Sequence, residues 1–196
     1  MTPEETKRSG EGRDRKESSE EREIKFAEVE LSALRERLQE LEAERVSASS
    51  FEDNWVFDRD RTMVENHRLL RLRLNNQGAQ LTYKGPPRFE ETTKVRVEHQ
   101  TGVEDPEQTR ALLESLGFEV VRRYQKMREI WRLGGVTISL DHTPIGDFVE
   151  FEGVGGEKVA DRCGLDPSRA ERRNYLRLYE DYLEENPDAS PDMTFE

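Results

Sequence analysis

The sequence predicts a mainly β domain, an antiparallel barrel or sandwich braced by a few helices. Three observations carry this. Trp, Phe, Val, Ile and Leu recur in short runs separated by Gly, Pro, Asn and Asp. Most of those runs alternate apolar with polar residues, the period of a strand. Helical spacing is confined to a few stretches between them.

In chain order, residues 1–19 mix Glu, Lys, Arg, Ser and Gly without period and read as a disordered tail. A compact domain is expected over 20–186. Residues 20–29 form its first strand. Leu31, Leu34, Leu38 and Leu41 mark an amphipathic helix, broken at 47–50. Residues 51–58 are aromatic and β-branched, hence a strand. A hairpin follows, with its turn near 75–78, closed by Gly85-Pro86-Pro87. Residues 92–100 alternate again. Asp105 and Pro106 read as N-cap and first turn of a helix ended by Gly117. Strands over 118–133 and 136–141 are joined by Gly134-Gly135, and another covers 148–153. A helix is expected at 157–163, then one capped by Asp166-Pro167 and running to about residue 185. Residues 187–196 are expected to be loose.

Composition narrows the function. The chain of 196 residues is 33% hydrophobic, 38% charged and carries a net charge of −12. An acidic balance argues against general nucleic-acid binding. No apolar run approaches the ~18 residues of a membrane span, and the start lacks an apolar leader. The single cysteine, Cys163, excludes an internal disulfide and fits a reducing cytoplasm. His67, His99 and His142 are not spaced as a metal triad. The glycine-rich stretches lack the lysine of a phosphate-binding loop and read as turns.

Splitting the strands by parity exposes the informative pattern. One face collects the cations Lys25, Arg71, Arg73, Lys84, Lys94, Arg96, Lys126 and Arg128 with the carboxylates Glu21, Glu23, Glu98, Asp141, Glu150 and Glu152. The other collects Leu, Val, Ile and Phe, with Glu129 out of place. Solvated faces accept Ser, Thr, Asn and Gln as readily as charge, yet these positions are nearly all ionisable. Two arrangements follow: an apolar centre with charge outside, or a charged lumen with apolar rows under the helices. The second needs pairing or a ligand, because an unpaired buried charge is costly. Cations suit a polyanion, and carboxylates beside them call for a hard divalent metal between the two.

The ordered series is similar to the CYTH superfamily, the triphosphate tunnel metalloenzymes. It comprises ExExK at Glu21, Glu23 and Lys25, LRLR at Arg71 and Arg73, the Lys84 strand, Arg96 with Glu98, KMR at Lys126 and Arg128, ISLD at Asp141, and GDFVEFEG at Glu150 and Glu152. The resemblance spans about residues 20–185 and implies a closed eight-stranded antiparallel β-barrel. It implies that Lys25, Arg71, Arg73, Lys84, Arg96, Lys126 and Arg128 bind the triphosphate. Glu21, Glu23, Asp141, Glu150 and Glu152 would ligate Mg²⁺ or Mn²⁺, with Glu21, Glu23 and Lys25 in catalytic roles. The implied activity is metal-dependent hydrolysis of an inorganic or organic triphosphate. The alternative is a class IV adenylate cyclase converting ATP to cyclic AMP and pyrophosphate. The His-Phe pair associated with such cyclases near the first strand does not stand here. A non-catalytic polyphosphate or nucleotide sensor and a solvent-exposed interaction module are the remaining readings. Expected partners are a triphosphate or nucleoside triphosphate, without nucleic acid or membrane. Homodimerisation is left open. The strand with Trp55 and Phe57 is either core packing or an adenine wall.

Overall fold

A computed structural model describes residues 20–195. The expected tail over 1–19 lies outside the described residues. The first strand, β1 (Glu20–Ala27), leads to helix α1 (Leu31–Glu40) and the long β2 (Glu44–Asp58). A short α2 (Thr62–Glu65) precedes the hairpin β3 (Leu69–Asn75) and β4 (Gly78–Lys84), then β5 (Arg88–Glu90) and β6 (Thr93–Val103). Helix α3 (Pro106–Ser115) precedes β7 (Glu119–Leu133), β8 (Val136–Thr143) and β9 (Gly146–Glu152). Helices α4 (Gly156–Arg162) and α5 (Tyr175–Glu185) follow.

The strands pair in the order β1-β9-β8-β7-β2-β3-β4-β6, all antiparallel, and β6 returns to β1 to close an eight-stranded barrel. β5 pairs with β6 at Thr93–Val95, while β1 holds the other edge of that stretch. It therefore continues the β4 flank beyond the Gly85-Pro86-Pro87 interruption. Closure leaves few free edges.

Two of the hydrophobic clusters lie outside the barrel, between strands and helices, and a third, with Val56, Tyr124, Phe148 and Tyr175, closes one end of it. Leu31, Leu34 and Leu38 of α1 pack with Val159 and Ala160 of α4 on Ile24, Phe26, Ile138, Leu140 and Phe151. The leucine row of α1 is thus spent on the barrel wall. On another flank Leu113 of α3 covers Phe57 and Leu72, with Trp55, Leu70 and Leu81 at the margin. Trp55 and Phe57 are therefore exterior packing, which removes the adenine-wall option. Glu129 also belongs to this outer face and is nearly inaccessible. Arg35 (2.9 Å) and Arg45 (2.8 Å) neutralise it, and it accepts a hydrogen bond from Trp131 Nε1 at 2.9 Å.

Several boundaries differ from expectation. Helix α1 ends at Glu40, and residues 47–50 belong to β2, because β2 must match the length of β7 across the ladder Glu44–Asp58. Glu42 takes a left-handed conformation (φ 56°) to make that turn. Asp166 caps only a 3₁₀ turn over Pro167–Arg169. Helix α5 starts later, where Asn174 Oδ1 accepts from Arg177 N at 2.8 Å. Asp105 caps α3 as expected, accepting from Gln108 N at 2.9 Å. Gly134 and Gly135 both have positive φ in the β7–β8 turn. The end of the chain is not loose. Met193 is 1% exposed and exchanges backbone hydrogen bonds with Arg123 (3.0 Å) and Gln125 (2.8 Å). It fills the edge of β7 above the point where β8 ends.

Candidate functional site

Strand register turns the parity pattern into a lumen. Opposite residues share a face, so the pairs Glu23–Glu152, Lys25–Glu150, Glu21–Arg96 and Glu23–Lys94 place β1, β9 and β6 side chains together. Ser139–Glu150 and Arg128–Asp141 continue the ring through β8 to β7. Glu52–Lys126, Asn54–Arg73 and Thr82–Arg71 complete it through β2, β3 and β4. The enclosed cavity has a volume of about 1040 Å³. Every cation on the predicted face lines it, as do Glu21, Glu23, Glu98, Glu150 and Glu152. Asp141 lies in its wall and is fully buried. The charges converge, which overturns the interaction-module reading.

One end of the tunnel is capped. Tyr175, at the start of α5, sits against Phe148 (ring centroids 5.1 Å) and Tyr124 (6.3 Å). Lys25 Nζ lies 4.4 Å from its ring centre and Lys126 Nζ 5.0 Å. Lys25 also donates to the Arg173 carbonyl at 3.0 Å. The other end is fringed by Gly135, Thr137 and Gly153 and is open to solvent.

The charges are not evenly paired. Glu21 receives Lys84 (2.5 Å) and Arg96 (2.9 Å), Lys84 also meets Glu98 (3.0 Å), and Lys94 meets Glu23. Glu150 is shared by Arg128 (2.6 Å) and Lys25 (3.6 Å). Asp141 accepts from Lys126 Nζ (2.9 Å), Arg128 Nε (2.6 Å) and the Tyr175 hydroxyl (2.6 Å). On the opposite wall, Arg71 donates to the Tyr124 hydroxyl at 3.0 Å. Arg73 has Glu52 at 3.5 Å. The Nε atoms of both arginines, Glu52 Oε2, Asn54 Oδ1 and Thr82 Oγ1 are buried without hydrogen-bond partners among the described residues. These atoms all lie on β2, β3 and β4.

Three comparisons bear on this geometry. The CYTH domain model matches residues 19–162. The chain belongs to the CYTH family. A CYTH relative from Methanocaldococcus jannaschii, named as a proposed adenylate cyclase, is 31% identical over 131 residues, which is 66% of this chain and 74% of that one. A solved structure from Vibrio parahaemolyticus, also named as a proposed adenylate cyclase, shares the fold with a TM-score of 0.73 at 23% identity, over 82% of this chain and 97% of that one. Another, from Hippeastrum, is named as a proposed adenylyl cyclase revealing a dominant triphosphatase activity. It has a TM-score of 0.57 at 19% identity, over 85% of this chain and 88% of that one.

The electrostatics of the CYTH tunnel are polarised. Burial pushes the Glu21 carboxyl up, but Lys84 and Arg96 outweigh it and hold it below its ordinary value. Burial acts likewise on Glu150, and Arg128, Lys126 and Lys25 take it far below. Glu152 goes the other way, to about 7, through burial and then the charge of Glu21, with Glu98 and Glu150 adding to it. No cation stands within ion-pair distance of Glu152 among the described residues, so local negative charge is in excess there. Burial lowers Lys25, against the opposing pull of Glu150 and Glu23. Burial and the neighbouring Arg71 lower Arg73.

Strand parity puts Thr82 on the charged face beside Lys84, but sequence reasoning missed Glu52, Asn54, Tyr124 and Tyr175. Glu52 and Asn54 share a parity with Val56, so their strand showed no clean charged row. The aromatic row opposite was interrupted by Asp53, which Arg123 (2.8 Å) satisfies on the outside. Tyr175 comes from a helix, where strand parity says nothing. Lys94, which had no clear family counterpart, lines the tunnel like its neighbours. His67, His99 and His142 are exposed. Among the described residues no helix is long and apolar enough to cross a membrane.

Proposed function

We propose that this chain is a metal-dependent triphosphatase that binds its substrate along the β3 wall of the tunnel. The observation that carries the reading is the polarised lumen. On one side the Nε groups of Arg71 and Arg73 are buried without hydrogen-bond partners among the described residues, with Glu52 at 3.5 Å from Arg73. Surplus carboxylate charge around Glu152 stands on the strands across the barrel. In this reading Arg71, Arg73, Lys126 and Arg128 hold phosphate oxygens, and Lys25, Lys84 and Arg96 complete the grip. Fixed cations neutralise the phosphate oxygens and hold the substrate in place without reorganising as it reacts.

The donor chemistry near Glu152 fits a hard divalent ion such as Mg²⁺ or Mn²⁺. Glu21, Glu23 and Glu152 would hold it, and Glu150 contributes through the field. No cluster of three or more His, Cys, Asp or Glu among the described residues is already gathered around a metal-sized point. An ion held there would take its remaining ligands from phosphate and water. Once bound, such an ion supplies charge neutralisation and a water of lowered pKa. The oxygens of Asp141 already serve Lys126, Arg128 and Tyr175, and those of Glu21 serve Lys84 and Arg96, so a metal at either carboxylate would have to displace a cation.

Adenylate cyclase activity is the second reading, favoured by the name of the 31%-identical relative. It requires a slot for adenine. The aromatic rings Tyr124 and Tyr175 in the lining are already engaged by Arg71, Lys25, Lys126 and Asp141. Hydrolysis of a triphosphate makes no such demand and is the preferred reading. The test is incubation with tripolyphosphate, ATP and thiamine triphosphate, each with Mg²⁺ or Mn²⁺. Released phosphate is the expected product; cyclic AMP with pyrophosphate supports the cyclase instead. Binding without turnover of any of the three supports a sensor.

A further inference from the structure

The stretch matched by the family model stops at residue 162, before α5. Yet α5 delivers the side chain most tightly built into the capped end of the tunnel. Asp141 is fully buried between the two cations of β7 that face it. Lys126 and Arg128 are long, flexible side chains two residues apart on one strand. A carboxylate shared by two such cations can rotate and let both drift. The Tyr175 hydroxyl supplies a third donor from an independent element, at 2.6 Å on Oδ2, while Arg128 Nε holds Oδ1 at 2.6 Å. The carboxylate plane is then fixed from two sides. The tyrosine ring is held in turn by edge contact with Phe148, and its face lies under the ammonium groups of Lys25 and Lys126.

We propose that Tyr175 is a positioning residue of the triphosphate site: its hydroxyl orients Asp141, which presents Lys126 and Arg128 to phosphate. The proposal rests on the triphosphate reading of the tunnel. It also gives α5 a role beyond covering one mouth, because ordering of the helix and ordering of the grip become one event. A grip that acts on bound substrate and on the transition state alike changes KM and leaves kcat nearly untouched.

The experiment compares Y175F with Y179F. Tyr179 lies one turn further along α5, and its hydroxyl donates to the Ser190 (2.7 Å) and Asp192 (3.1 Å) carbonyls of the C-terminal segment, away from the lumen. Both variants keep the ring and lose one hydroxyl. Phosphate release from tripolyphosphate with Mg²⁺ is measured alongside melting temperature. Y175F is expected to raise KM about tenfold, the cost of one charge-assisted hydrogen bond, with kcat within about twofold. Y179F is expected to lower the melting temperature and leave KM unchanged. A KM for Y175F within about twofold of wild type overturns the proposal, as does an equal rise in both variants. If the wild type releases no phosphate, calorimetric titration with tripolyphosphate decides. Binding weakened about tenfold in Y175F upholds the positioning role although the hydrolase reading fails; no binding by the wild type overturns both.

Discussion

Arg73 offers a test in which stability and function move in opposite directions. Its guanidinium is mostly buried, with 18% of the side chain exposed, and its Nε has no hydrogen-bond partner. Burial and the charges of Arg71 and Arg128 disfavour its charged form, and Glu52 at 3.5 Å offsets this only in part. A folded-state pKa below the ordinary value means the cation is worse off folded than unfolded. Replacing it by the apolar Met, of similar length, should therefore stabilise the empty protein by about 1 kcal/mol, at the low end for removal of uncompensated buried charge. For a chain of this size that corresponds to a rise of roughly 2–4 °C in melting temperature. Glu52 keeps Lys126 at 3.8 Å and the attraction of Arg128, so it is not stranded. Binding should respond the other way. One cation about 4 Å from a phosphate charge is worth up to ~4 kcal/mol at an effective dielectric near 20. A loss of about 2–4 kcal/mol weakens tripolyphosphate binding roughly 30- to 700-fold. Differential scanning fluorimetry of the empty protein and titration calorimetry with tripolyphosphate measure the two effects. A lower melting temperature combined with unchanged affinity would refute the reasoning, since Arg73 would then be a structural cation with no ligand to meet.

Lys126→Met and Arg128→Met should each lower kcat/KM for tripolyphosphate by more than about 100-fold, with smaller proportional losses of stability; wild-type turnover in both removes the grip assignment. Glu152 has its pKa raised from an ordinary 4.5 to about 7, so a metal bound there must displace a proton below that pH. Apparent Mg²⁺ affinity should climb up to about pH 7 and level off above it, and Glu152→Gln should flatten the profile; full turnover of that variant at saturating Mg²⁺ and Mn²⁺ dismisses Glu152 as a ligand. The metal-free protein should show the opposite trend. Stability contributed by Glu152 is present below about pH 4.5 and is lost as pH rises through about 7, which melting curves across that range will register. Met193→Ala should cost about 2 kcal/mol, because a fully buried side chain is truncated, and should lower the melting temperature by roughly 4–8 °C; an unchanged melting point means the segment around Met193 is not anchored.

The charged row was legible residue by residue because alternation is a local property of strands. ExExK, LRLR and KMR each show it within a few positions. Legibility failed where lumen residues share their row with an apolar one, as with Glu52 and Asn54 beside Val56. It failed again where the side chain arrives from another kind of element, as with Tyr175. Glu129 shows the converse: an apparent fault in an apolar row, resolved by two arginines that no local pattern connects to it.

By itself, then, the sequence determined the strand runs, their two-faced chemistry and the helix cap at Asp105, because these depend on neighbours within about four residues. Only the tertiary structure decided which face turns inward, through the closing β1–β6 ladder. It also decided which charges cancel. Ion pairs such as Lys84–Glu21 and Lys94–Glu23 join residues more than sixty positions apart, and their strength depends on burial that no single strand possesses. The imbalance left after that pairing, arginine Nε groups without hydrogen-bond partners on β3 and excess carboxylate at Glu152, exists only once the barrel has closed.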